Sequence, residues 1–308
     1  MQAPQKILVV ISGKRKQHEA LLRALKFAEL NNEVHIHLLN VIYEPILELT
    51  DVLSSDHRKE MKKQYVADRY LYLNSIAEDL EKKNIRCTTH VEWCREVYEG
   101  IEDAVERIQP DLVIKRITAD SMSINPFAMP IDRHLLRYCK APLLLVKHSS
   151  WTNAPILAAV DVLAKDEKHV ALNQDILESA KLFAQISDSE IHTVSAYMVH
   201  NMSAAIDFPT INLEKLSANS AQFHSDKLDS MEKDHDINMA KKHVVAGMPE
   251  KVIPNVVKQI DAELVILGTV ARKGISAAFL GNTAESILAE LNCEVLALNL
   301  DESDSEKV

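Results

Sequence analysis

Glycine is scarce in this chain: six residues in 308. Cysteine is scarcer still, at four, and aromatic residues make up 5% of the total. Cys87, Cys94, Cys139 and Cys293 have no C-x-x-C spacing, so neither a zinc site nor a disulfide framework is expected. The longest apolar runs, LVVI near the start and LLLV around Leu144, are strand-sized and well short of the ~20 residues of a membrane helix. The opening MQAPQKILVVIS has no charged leader followed by a small-residue cleavage site, so a cytoplasmic location is expected and no membrane partner. Positive charge is also in deficit, with 35 Lys and Arg against 45 Asp and Glu and a formal charge of −10. An acidic surface repels phosphate backbones, which argues against nucleic acid as a partner.

What is present is a duplication. The run KILVVIS from Lys6 answers to PILAAVD from Pro155, and EVHIHLLNVI from Glu33 to SEIHTVSAYM from Ser189. DLVIK at Asp111 answers to ELVIL at Glu263, and APLLLV at Ala141 to CEVLAL at Cys293; both pairs stand 152 residues apart, the first pair 149. Each run has the unbroken apolar character of a buried parallel strand.

The segments between them have helical spacing. Met61, Tyr65, Tyr72, Ile76 and Leu80 fall near one face of a helix expected from about Ser55 to Asn84. Further helices are expected from about Arg95 to Gln109 and from Pro249 to Ile260, with Pro249 suited to a first helical turn. Each half therefore reads β-α-β-α-β-α-β-α-β, which calls for a parallel sheet with helices on both faces. The expected class is α/β, as two tandem doubly wound five-stranded parallel sheets. The domains are expected at 1–149 and 150–308, joined by the short polar stretch SSWTNA, brief enough that the two halves should pack as an intrachain pair.

In such sheets a ligand crevice opens beyond the carboxyl ends of the first and fourth strands, where the strand order reverses. In the second half these ends are Asp161 and Gly268, the latter followed by GTVARKGISAAFLGNTAES. Three of the six glycines, Gly268, Gly274 and Gly281, lie in that stretch. A glycine admits close backbone approach, and Gly281-Asn282-Thr283 leads into a helix whose free N–H groups suit a phosphate. Arg272 and Lys273 supply nearby positive charge. The plainer reading of the same residues is a strand-to-helix connection, with Asp161 as a cap.

These residues resemble the universal stress protein family, whose nucleotide-binding members carry glycine, two residues, glycine, nine residues, then glycine with serine or threonine. Here Gly268 is followed by Ala271, nine residues, and Gly281 with Asn282 and Thr283, so two positions depart from the pattern. The resemblance covers nearly the whole chain, in the tandem-domain form with the adenine nucleotide alpha hydrolase-like fold. It implies a stress-response protein whose second domain binds ATP or another adenine nucleotide, with or without Mg, at Asp161, Ala196, Gly268, Thr269, Arg272, Gly281, Asn282 and Thr283. It implies no catalytic residue, and pairing of chains into a homodimer is one arrangement seen among single-domain relatives. The corresponding first-domain positions are Ser12, Val41, Arg116 and Met129. The loop there, TADSMSINPFAMPID, has no glycine, and Pro130 offers no N–H, so a phosphate cradle is not expected.

Two other readings stand beside this one. A weak ATPase would need a metal and a positioned water that the sequence does not specify. A carrier of an amphiphilic ligand, with a nucleotide-sugar or lipid-like character, would use the apolar residues after each second strand: Ile46, Leu47, Leu49, Val52 and Leu53, and Ile206, Phe208, Ile211 and Leu213. His35 and His37 share a strand face, but no third ligand stands near them in sequence; His192 takes the place of His37 in the repeat, which points to packing rather than metal. No nucleophile elbow, P-loop or G-x-G-x-x-G fingerprint occurs.

Overall fold

The computed structural model describes residues 3–48, 54–117, 131–198, 213–269 and 291–299. The chain divides into two compact units, Ala3–Ser150 and the part from Trp151 onward.

In the first unit the elements are β1 (Lys6–Val10), α1 (Glu19–Leu30), β2 (His35–Ile42), a 3-10 turn (Pro45–Glu48), α2 (Ser55–Glu81), β3 (Arg86–Trp93), α3 (Val97–Ile108), β4 (Leu112–Arg116), α4 (Ile131–Tyr138) and β5 (Leu143–Val146). The strands lie in the order β3-β2-β1-β4-β5, all parallel. Ile7, Leu8, Val9, Leu112, Val113, Ile114 and Leu143 to Val146 are fully buried, because helices cover both faces of the central strands. Asp111 fixes the start of the sheet: its Oδ2 accepts the backbone N–H groups of Gln5 and Lys6, each at 2.8 Å.

Helix α2 starts at an N-cap serine, Ser54, whose hydroxyl accepts the His57 N–H. Its core-facing residues are Leu73, Ala77 and Leu80. The expected stripe is thus right only toward its C-terminal end, since Met61 is exposed. In the N-terminal half of this 27-residue helix no residue is buried; Tyr65 there meets the edge of the Trp93 ring at the end of β3.

The second unit repeats the plan with β6 (Ile156–Ala159), α5 (Glu167–Ser187), β7 (Ile191–Tyr197), α6 (Leu213–Asp234), β8 (Met239–Ala246), α7 (Pro249–Ile260), β9 (Leu264–Thr269) and β10 (Glu294–Asn299). Its order is β8-β7-β6-β9-β10, again parallel. The repeat reaches into details. Helices α3 and α7 both end on a left-handed residue, Gln109 and Asp261, whose N–H bonds back to Val105 and Val257 respectively. The expected segment between the units is partly fastened to the second: Trp151 donates from Nε1 to the buried Glu294 carboxylate at 3.0 Å, and the Thr152 hydroxyl donates to Glu263 at 2.7 Å.

Candidate ligand crevice

The strand order reverses in each unit between the first and fourth strands, so the crevice of the second unit opens beyond the ends of β6 and β9. Asp161 lies two residues past the last β6 rung, Ala159 opposite Val194, and Ala196 lies the same distance along β7. Asn173 of α5 clamps the Asp161 backbone from both sides: Asp161 N–H donates to its Oδ1 at 3.0 Å, and its Nδ2 donates to the Asp161 carbonyl at 2.7 Å. Asp161 Oδ1 accepts the Leu163 N–H at 2.9 Å in an Asx turn, and the residue is exposed.

Gly268 serves packing. A Cβ there would lie 2.4 Å from Cδ2 and 2.9 Å from Cγ of Leu172, so the bare backbone lets α5 close on β9. The hydroxyl of its neighbour Thr269, buried at the strand end, donates to the Leu298 carbonyl at 3.4 Å. The remaining expected members, Arg272, Gly281, Asn282 and Thr283, lie outside the described residues.

A polar pair not anticipated from sequence sits at the end of β7. Ser195 Oγ and His224 Nδ1 are 2.8 Å apart and both residues are buried, with the Tyr197 ring 5.6 Å from the imidazole. Burial holds the His224 pKa below its usual value, partly opposed by the Asp161 carboxylate. The 29-residue separation of Ser195 from His224 left no local pattern to read. Because Ser195 is only 2% exposed, its hydroxyl is a packed hydrogen-bonding group rather than an accessible nucleophile.

The first unit treats the same places differently. Ser12 is half-buried after β1, and Val41 is buried beneath Gly100 of α3, where a Cβ would lie 2.7 Å from Val41 Cγ1. Met129 lies outside the described residues. Three cations at this end already have carboxylates. Arg116 Nε is 3.1 Å from Glu19, Lys14 is 2.7 Å from Asp68, and the buried Lys115 ammonium is paired with buried Asp132 in the first turn of α4. The basic loop is strapped to α2 as well, since Tyr72 Oη accepts from Arg15 N–H at 3.1 Å and donates to the Arg15 carbonyl at 2.9 Å. A phosphate arriving here would compete with carboxylates already in place.

Of the apolar residues after the second strands, Leu47 is buried and Ile46 is 52% exposed. The positions Leu49, Val52, Leu53, Ile206, Phe208 and Ile211, and the side chain of Leu213, lie outside the described residues. Among the described residues no group of three or more His, Cys, Asp or Glu could hold a metal ion, and no helix is long and apolar enough to cross a membrane.

Two parallel five-stranded sets of this order, each reversing its strand order between its first and fourth strands, define a class, and residues 4–147 and 153–299 each match the universal stress protein family. The chain belongs to that family of stress-response proteins. It is similar along nearly its whole length to a universal stress protein E homolog of Haemophilus influenzae, at 33% identity over 303 residues covering 97% of this chain and 98% of that one. Universal stress protein E of Escherichia coli is 31% identical over 301 residues, covering 97% and 95%. Among solved structures, a functionally unknown protein of Pseudomonas aeruginosa is 28% identical with a TM-score of 0.71, covering 97% of this chain and 94% of its own. A universal stress protein of Archaeoglobus fulgidus shares the fold at 16% identity, with a TM-score of 0.63 over 98% of both chains.

Proposed function

We propose that this protein is a non-catalytic cytoplasmic stress-response protein that binds one adenine nucleotide, in the crevice of its second unit. The observation that carries the reading is the exposed Asp161 carboxylate, just past the end of β6 on a backbone that Asn173 clamps from both sides. In this reading Asp161 orients the base or ribose, and the segment from Gly268 to Thr283 holds the phosphates, with Arg272 adding charge. The contrast with the first unit supports it, because Arg116 and Lys115 there already face Glu19 and Asp132. Phosphate recognition needs donors that are not already spent.

Protein purified without added nucleotide and denatured should release an adenine nucleotide, identified by mass spectrometry, at no more than one per chain. Release of no nucleotide, together with no heat on titration with ATP or ADP, removes the proposal.

A further inference from the structure

Each unit carries a pair of histidines joined across its outermost strand pair, in the same geometry. In the first, His37 Nδ1 lies 3.1 Å from His90 Nε2, with ring centroids 5.3 Å apart and planes inclined by 21°. In the second, His192 Nδ1 lies 3.1 Å from His243 Nε2, with centroids 5.3 Å apart and planes inclined by 27°. The positions correspond as well. His90 stands opposite Leu39, two past His37, and His243 stands opposite Val194, two past His192. The atom pairing, spacing and diagonal register have thus all survived duplication.

Only one proton fits between two ring nitrogens at this distance, so one imidazole donates and the other accepts. In the first unit the far nitrogen of His37, Nε2, is buried without a partner. A proton added there would be an unpaired buried N–H, and one added to the accepting nitrogen would set two N–H groups against each other. A first proton is therefore disfavoured in this buried setting, and the bond is broken outright once both rings are charged. The surrounding charges do not rescue a cation in this unit. His35 stacks on His37 at 4.2 Å, Lys6 adds positive charge, and Glu92, the nearest acid acting on His90, is bonded to Arg107 of α3 at 2.6 Å. In the second unit Lys241 is the opposing cation, and Glu190 lies 3.8 Å from His192 Nε2.

We infer that the paired imidazoles are acid-releasable fasteners, which hold β3 to β2 and β8 to β7 at neutral pH and let these outer strands open on acidification. Burial and the neighbouring charges push His37 and His243 down to about 4, and burial lowers His90 and His192 in the same direction, opposed by Glu92 at His90 and by Glu190 at His192. The sign follows. A histidine depressed in the folded state contributes in full above its unfolded value of 6.5, and that contribution drains away as pH falls from 6.5 toward 4.

Hydrogen exchange by mass spectrometry on the full chain at pH 7.5 and 5.5, corrected for intrinsic exchange rates, tests the inference. Amides of Arg86–Trp93 and Met239–Ala246 should lose roughly three- to thirtyfold protection relative to those of β1 and β4. In His90→Gln, whose amide does not titrate in this range, the loss should shrink in β3 and persist undiminished in β8, and His243→Gln should show the reverse. Equal behaviour of outer and central strands in the unaltered protein, or an undiminished loss in a strand whose histidine has been replaced, overturns it. Should one variant not fold, the pH series of the unaltered protein and the other variant still decide.

Discussion

Replacing Gly268 with alanine separates two reasons for a glycine at the crevice. Its φ is not in the left-handed region, so backbone strain is not at issue; the constraint is the 2.4 Å and 2.9 Å between a new Cβ and two atoms of Leu172, itself 7% exposed. Overpacking of this kind costs about 1–3 kcal/mol. Removing a strand glycine returns about 0.5–1 kcal/mol, leaving a net loss of about 0–2.5 kcal/mol. Leu172→Ala alone should cost about 2–5 kcal/mol through the cavity it leaves. In the double variant the clash has no partner, so the two losses should fall short of additive by about 1–3 kcal/mol. Urea denaturation followed by Trp151 fluorescence in a Trp93→Phe background reports the second unit, because those are the only two tryptophans. Strict additivity would show that α5 does not need the missing side chain, and the packing argument would fail.

Three further outcomes follow from the same geometry. Lys115→Met strands the buried Asp132 carboxylate and should cost about 3–5 kcal/mol, while adding Asp132→Leu should restore most of it, measured by chemical denaturation. Asp111→Ala removes the acceptor of two backbone N–H groups and should destabilise the first unit by about 1–2 kcal/mol, visible as faster amide exchange at Gln5 and Lys6. Asn173→Ala releases the Asp161 backbone and should weaken nucleotide binding at least tenfold by calorimetry, while Ser12→Ala leaves the affinity unchanged.

The sheets were legible in the sequence because buried parallel strands are unbroken apolar runs, and the 152-residue spacing repeated them. Helix α7 was legible through Pro249 at its first turn. The inner face of α2 was harder, because its buried residues, Leu73, Ala77 and Leu80, lie only in its C-terminal half while Met61 stays exposed. Gly268 illustrates a different limit. Sequence shows that a glycine is there, whereas only the approach of Leu172 shows what its small size does. The histidine pairs, Ser195 with His224, and Lys115 with Asp132 join residues on separate elements, so no local spacing announces them. His37 and His192 were recognised as equivalent, but their partners enter from β3 and β8 and are visible only once the strands are aligned.

The central claim is that the duplication is unequal, with the nucleotide held by the second unit alone. Titration calorimetry of the stripped full-length chain with ATP tests it most directly, run beside Asp161→Ala and Ser12→Ala. One site per chain, lost in the first variant and kept in the second, is the predicted result. Two equivalent sites, or binding that survives Asp161→Ala and disappears with Ser12→Ala, would contradict it.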